Sequence, residues 1–232
     1  RTVPIDVIKV DYEGTISQKE LKKSRYRKSD NSTTTLTRYA FNIAHWGISV
    51  DVQTFAEKIR FVGNSRYDVS SLFIIAAGKF KHRAKIKLTG RQIHLSNEDK
   101  TVIDENADDK VAEEELNGIF CGALLQNTVN TGKGMQMCPL NKLDDGYADM
   151  LLIRTTKRKD ILKLFGGVKS GEHIFFGLSD YYRLSKIRID PQPIDASKSG
   201  DSHQAALNLD GENQGMSPCE ATVIPLAIEI IM

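Results

Sequence analysis

Short runs in which apolar and polar residues alternate, or in which β-branched residues crowd together, recur along most of the chain. They are Ile5 to Val10, Thr34 to Ile43, Lys85 to Leu88, Gln92 to Leu95, Gly118 to Asn127, Ala148 to Arg154, Arg183 to Ile189, Ala205 to Leu209 and Thr222 to Ile231. A period of two puts every second side chain on one face of a sheet, so these runs predict strands. The polar turns between them predict a sandwich or closed antiparallel sheet. Two stretches change period. Val69 to Phe80 sets Leu72, Ile75, Ala76 and Phe80 near one face, and Arg158 to Val168 does the same with Ile161, Leu162, Leu164 and Phe165, which predicts two helices. The fold class is therefore mainly β with a few helices, an antiparallel β-sandwich-like domain.

Three polar insertions break the strand rhythm and read as surface loops: the basic run Lys19 to Lys28 around Tyr26, the mostly acidic Asn97 to Glu115, and the Pro-, Ser- and Asp-rich Pro191 to His203. The basic run suits contact with anionic lipid, or a solvated hairpin tip. The acidic run lacks calcium-loop spacing. With 232 residues the chain can bury a full core, and 40% hydrophobic and 27% charged residues are ordinary globular usage. A net charge of only +2 predicts no nucleic-acid partner. Cys121, Cys138 and Cys219 are far apart with no histidine at metal-ligand spacing, so reduced thiols in a cytoplasmic protein are expected. No run reaches the roughly 20 apolar residues of a membrane span. Asn31-Ser32-Thr33 matches a glycosylation sequon, but RTVPIDVIKV at the start does not read as a secretion signal.

Chemistry gathers at four places. Trp46-Gly47 ends a strand in a Gly bend, and Glu57, Arg60 and Arg66 follow in a partly helical run; Asp51 between them is expected to follow the strand rather than open a helix. Guanidinium forks grip phosphate oxygens bidentately, so the two arginines predict an anion site, the alternative being surface pairing with carboxylates. Asp144, Asp145 and Asp149 crowd around Gly146 before a strand, either as an ordinary tight turn or as a site where a hard divalent cation relieves the repulsion. Asp210-Gly211-Glu212 ends another strand, as a hairpin turn or as a carboxylate pair ordering a metal-bound nucleotide or accepting a hydrogen bond from an attacking hydroxyl. His173 lies just beyond Gly171 at a helix end and reads as a cap or a core histidine, with a catalytic role as the alternative. Gly132-Lys133-Gly134 lacks the phosphate-loop frame.

Taken in order, these segments resemble the diacylglycerol kinase-like lipid kinases, in particular their sphingosine and ceramide kinase branch. The matching pieces are Trp46-Gly47, Asp51, Ala56-Glu57-Lys58-Ile59-Arg60, Gly63-Asn64-Ser65-Arg66-Tyr67, Asp145 to Asp149 with Leu151 to Arg154, Gly171 to His173, and Asp210 to Glu212. The resemblance runs from about Ile5 to Ile231. It implies the C-terminal, lipid-facing β-sandwich domain of a two-domain enzyme using ATP and magnesium. The family's Gly-rich phosphate loops and general-base carboxylate belong to an N-terminal half not found in this sequence, so the chain alone is expected to be inactive.

By the family pattern Arg60 and Arg66 reach the nucleotide phosphates, Asp210 and Glu212 face the nucleotide and its magnesium, and Asp145 marks an accessory divalent site. Asp51 belongs to the lipid headgroup site, and apolar strands with the Phe73 to Phe80 helix line an acyl-chain pocket. Sphingosine kinases carry a second carboxylate two residues after the position of Asp51; here it is Gln53. An amide cannot neutralise an ammonium but can hydrogen-bond a neutral group, which leans the expected acceptor toward ceramide, with sphingosine or diacylglycerol as alternatives. Peripheral membrane association is expected. A non-enzymatic lipid- or protein-binding module is the rival from another class.

Overall fold

The computed structural model describes residues 2–14, 34–78, 80–103, 111–132, 134–194, 206–215 and 218–231. The basic run at 19–28, the sequon at 31–33, most of the Pro191 to His203 insertion and part of the acidic one lie outside the described residues. In chain order the elements are β1 (Thr2–Gly14), β2 (Thr34–Ala40), β3 (Ile43–Gly47), α1 (Ile48–Lys58), a 3₁₀ turn (Arg60–Ser65), α2 (Arg66–Ala77) and β4 (His82–Ile93). There follow β5 (Leu95–Ser96), β6 (Thr101–Val102), β7 (Ala112–Phe120), β8 (Gly122–Gln126), β9 (Ala148–Ile153), α3 (Arg158–Gly166) and a second 3₁₀ turn (Glu172–Phe176). β10 (Ser179–Gln192), β11 (Leu207–Leu209), β12 (Glu212–Gly215) and β13 (Cys219–Ile231) complete the described chain.

Eleven strands form one antiparallel sheet in the order β12-β11-β3-β8-β9-β10-β13-β1-β2, with β4 and then β7 added on the other edge of β10. β10 is where the sheet divides. Its first half pairs with β9 through Ser179 to Leu184 and its second half with β13 through Lys186 to Ile189. Between them Ser185 is an extra residue opposite β4, whose partners step from Gly90 to Thr89. A bulge of one residue reverses the side-chain alternation. Tyr182 and Leu184 before it, and Ile187 and Ile189 after it, consequently all face the same core.

That core lies between the two halves of the folded sheet, with Trp46, Leu125, Met150 and Leu152 from one side and Ile8, Val10, Ala221 and Val223 from the other. A second apolar layer covers the outer face of β3, β8 and β9, where Ile43, Leu124, Leu151 and Ile153 meet Ile48 and Val52 of α1, Ile74 and Ile75 of α2, and Ile161 and Leu164 of α3. Every residue of β3, β8 and β9 is buried. Burial on both faces is why Ala148 to Ile153 reads as an almost continuous apolar run rather than an alternation.

The β-sandwich-like class and both expected helices are present. Three expectations need correction. Thr34 to Ile43 is not one strand, since β2 pairs with β1 while β3 pairs with β8 and β11, and the chain crosses between halves at Phe41 and Asn42. Gly118 to Asn127 divides at Cys121 for the same reason. Asp51 lies in the first turn of α1, so it does open a helix; Ile48, Val52, Phe55 and Ala56 carry the helical spacing that marks it. In addition, Glu113 to Glu115 belong to β7 rather than to a loop, and Glu115 pairs with Lys85 at 2.9 Å.

All three cysteines are free and buried, and burial pushes the Cys121 and Cys219 thiols up to about 12. No helix among the described residues is long and apolar enough to cross a membrane.

Candidate functional site

The Trp46-Gly47 pair is the hinge on which the site is built. Gly47 has φ +90°, and a Cβ there would stand 2.6 Å from both the carbonyl oxygen of Cys121 and Cα of Gly122. Gly122 faces it across the β3–β8 pair, and its own Cβ would stand 2.7 Å from the Trp46 carbonyl. Two backbones in that proximity let β3 turn straight into α1, anchored by the Ile48 amide on the Cys121 carbonyl at 2.9 Å. α1 then folds back over β3. Residues 53 and 57 are one turn apart on one helix face, so that face returns toward the sheet end where Ile43 and Asp210 lie.

Asp210 and Gly211 form the hairpin between β11 and β12, with φ +46° and +97°. Two consecutive positive φ values define the turn whose twist matches a hairpin, which is why glycine stands second. The Asp210 carboxylate accepts backbone N–H groups from Phe41 at 2.5 Å, Asn42 at 3.0 Å and Ile43 at 2.8 Å, stapling the crossing between β2 and β3. Asp210 is thus engaged by backbone. Glu212 is exposed, and among the described residues its carboxylate makes no hydrogen bond or ion pair.

Gln53 touches this turn. Its amide donates to the Gly211 carbonyl at 2.9 Å, while the Gly211 N–H donates to Oδ1 of Asn208 at 2.9 Å. Asn208 is buried beside His45, whose Nε2 lies 3.0 Å from the same Oδ1 and whose Nδ1 lies 2.8 Å from Oγ of Ser49. Burial drives the His45 pKa down to about 4, against the opposing pull of Asn208, Asp210 and Gln53. The ring is neutral at physiological pH.

One turn after Gln53, Glu57 gathers the two predicted phosphate ligands. Arg60 hydrogen-bonds its carboxylate directly, and Arg66 lies 3.7 Å from Oε1. The Arg66 guanidinium also rests over the Tyr67 ring at 4.9 Å and donates to its hydroxyl at 3.1 Å. Arg60 is 71% exposed and Arg66 27%. An exposed partner such as Glu57 holds them weakly, leaving guanidinium forks able to turn to an anion.

Asp51 lies apart from this group. Its carboxylate is 3.3 Å from Nε2 of the buried His82, whose ring stands edge-on to Trp46 at a centroid distance of 5.5 Å. A small cavity of about 20 Å³ lies in the sandwich core beyond Trp46, between Leu125, Ile187, Leu207 and Ala221. The helix expected to line an acyl-chain pocket, α2, instead exposes Val69, Leu72 and Phe73, with Phe73 stacked on Phe55 at 4.4 Å.

Asp145 lies in the loop before β9, which is the third strand from β11 in the sheet order. Its Oδ1 accepts the Tyr147 N–H at 3.1 Å and its Oδ2 lies 3.8 Å from Nε of Arg183. Arg183 also holds the buried Asp149 at 3.1 Å, and the Tyr181 hydroxyl donates to Asp149 at 2.6 Å. Burial raises the Asp149 pKa, with Arg183 and Tyr181 opposing. Behind the turn, the fully buried Asp6 carboxylate accepts the Gly146 N–H at 2.7 Å and the Leu226 N–H at 2.8 Å. Among the described residues no three His, Cys, Asp or Glu side chains converge as a metal cluster. With Arg183 already beside Asp145, the donor set of this chain by itself does not fit a resident divalent cation. His173 is a buried core histidine bonded to the Met137 carbonyl at 3.0 Å.

The structure therefore brings Gln53, Asp210 and Glu212 together, joins Arg60 to Arg66 one helical turn away, and leaves Asp51 and Asp145 in separate surroundings. His45, Ser49, His82 and Asp6 carry no signal in the sequence, and Asn208 stands at the head of the Asp210–Glu212 segment without a role that the sequence assigns. The apolar spacing of residues 48–56 extends the partly helical run back to Ser49, but nothing local announces a partner 163 residues away.

The family model described as the YegS C-terminal NAD kinase beta sandwich-like domain matches residues 42–232. Among curated proteins, "Sphingosine kinase 1" of Arabidopsis thaliana is 22% identical over 63% of this chain and 33% of its own length. "Sphingoid long chain base kinase 4" of Schizosaccharomyces pombe is 26% identical over 81% of this chain and 43% of its own. The chain thus spans less than half the length of these relatives. A solved structure from Bacillus anthracis str. Sterne, of a protein assigned as a diacylglycerol kinase, covers the whole chain with 58% of its own, at a TM-score of 0.52 and 15% identity. That likeness is one of fold.

Proposed function

The chain belongs to the family of the YegS C-terminal NAD kinase beta sandwich-like domain, and from that premise we propose that it is the lipid-facing domain of an ATP-dependent lipid kinase acting on the primary hydroxyl of a sphingolipid. The observation that carries this reading is the shared face of α1: Gln53 on the Asp210–Glu212 turn and, one turn on, Glu57 collecting Arg60 and Arg66. The names of the two curated relatives support a sphingoid lipid as acceptor. Their greater length supports placing the nucleotide between this chain and a further domain of the complete protein.

In this reading Arg60 and Arg66 turn from Glu57 to the nucleotide phosphates, and Glu212 projects from the turn that Asp210 ties to the crossing between β2 and β3. Magnesium, when bound with ATP, supplies neutralisation of the phosphate charge, and phosphoryl transfer depends mostly on such neutralisation and on positioning. Asp51 receives the lipid headgroup from the His82 side, and the core beyond Trp46 is the apolar direction in which a chain would extend. The sandwich halves must part to admit one, since the cavity there holds only about 20 Å³.

Ceramide remains the acceptor favoured by the sequence alone, because no second carboxylate stands two residues after Asp51; the Gln53 amide found there is engaged by Gly211 and does not read the lipid. The relatives' names favour the free base. The deciding experiment uses the complete protein with labelled ATP and ceramide, sphingosine and diacylglycerol in competition. Arg60→Ala and Arg66→Ala should each lower kcat/KM by roughly 100-fold. Unchanged rates in both would sink the phosphate assignment, and a strong preference for sphingosine would sink the ceramide one.

A further inference from the structure

His45 uses both ring nitrogens, and its neighbours define which one carries the proton. Asn208 Oδ1 accepts the Gly211 N–H, so it is an oxygen acceptor, and the His45 nitrogen 3.0 Å from it must be the donor. With the proton on Nε2, Nδ1 is bare and accepts the Ser49 hydroxyl at 2.8 Å. A chain of hydrogen bonds results: Ser49 donates to His45, and His45 donates to Asn208 Oδ1, which also accepts the N–H of Gly211. The other side of Gly211 is held from the same helix, because Gln53 donates to its carbonyl. Both peptide units that meet at Gly211 are therefore fastened to α1. The Asp210–Gly211 pair suits a two-residue hairpin turn at φ +46° and +97° by itself, so what these bonds add is where the turn points.

We propose that His45 is a positioning residue of the nucleotide site: acting through Asn208, and in parallel with Gln53, it fastens the Asp210–Gly211–Glu212 turn to the helix that also carries Glu57, the collector of Arg60 and Arg66. Two walls of one anion site, separate in sequence, are set against each other by this bridge. The role of Gln53 changes accordingly, from reading the lipid to aiming the turn. The inference rests on the reading that this turn faces the nucleotide.

The test is steady-state kinetics of the complete protein with ATP and lipid varied separately. His45→Leu and Asn208→Leu remove the bridge, and Asn208→Asp keeps both acceptor positions. Gln53→Met, half-exposed and tolerant of substitution, covers the case in which a buried variant fails to fold. The bridge variants and Gln53→Met should raise KM for ATP by roughly 5- to 20-fold, leave KM for the lipid within about twofold, and be relieved in Asn208→Asp. Glu212→Gln is the reference for the underlying reading. If Glu212→Gln raises KM for ATP but the bridge variants and Gln53→Met do not, positioning is overturned while the nucleotide reading stands. If none of them moves it, the nucleotide reading fails and the inference with it. A rise in lipid KM with Gln53→Met would return that residue to the headgroup and overturn its place in the bridge.

Discussion

Asp145-Gly146 and Asp210-Gly211 are the same dipeptide at the same end of the sheet, each with a glycine at positive φ, +79° and +97°. Their surroundings differ in kind. Around Asp145 the charges are consumed internally: Arg183 lies against both Asp145 and the buried Asp149, and Asp6 takes the turn's own N–H. Around Asp210 the interior partners are neutral or backbone, and Glu212 and Arg60 are left facing outward. A closed turn stabilises the fold. An open one, fastened from beneath by a neutral histidine, keeps its charges for something else.

Four experiments test that contrast, the largest effect first. Asp149→Ala strips Tyr181 and Arg183 of their buried partner and should cost about 3–5 kcal/mol in denaturant unfolding; a loss under 1 kcal/mol would show that the closed turn is not closed. Next comes pH. His45 titrates at about 4 in the folded protein and near its ordinary value when unfolded, so the unfolded state binds the extra proton between those values. Its stabilising contribution is complete above pH 6.5 and is lost as pH falls toward 4, about 3 kcal/mol in all. His45→Gln should flatten that part of the stability curve.

Asp149 has the opposite sign. Its raised pKa gives a contribution present in acid and lost as pH rises through the folded value. The two turns thus carry opposite acid responses, separable by comparing Asp149→Asn with His45→Gln across the same pH series. Asp210→Ala, which frees three partly exposed N–H groups, should cost about 1–2 kcal/mol. Glu212→Ala and Arg60→Ala should leave Tm where it is while affecting catalysis in the complete protein; a clear fall in Tm would make them structural and erase the contrast.

Much of this was legible in the order of residues. Periodicity found the strands and two helices because a half-buried element must repeat its apolar positions at its own geometric period. It failed where the chain changes sheet halves, at Phe41 and Cys121, because each side of the crossing is still good strand sequence and only the partner changes. After Trp46-Gly47 it found only a partly helical run and left Asp51 outside a helix, although Ile48, Val52 and Ala56 repeat at helical spacing from the first turn of α1. The motif order pointed to Arg60, Arg66, Asp210 and Glu212 as one site, and the fold places their two groups at a common face of α1.

The residue types, their periods and the glycines at tight backbone approaches were determined by the sequence itself, since each depends on neighbours a few positions away. Which of two Asp-Gly dipeptides would be neutralised, and which left open, was decided only in the tertiary structure. Arg183 reaches Asp145 from another strand, and His45 reaches Asn208 across 163 residues. Charge and hydrogen-bond energies depend on distance and burial in space, and neither quantity exists until strands far apart in the chain have paired.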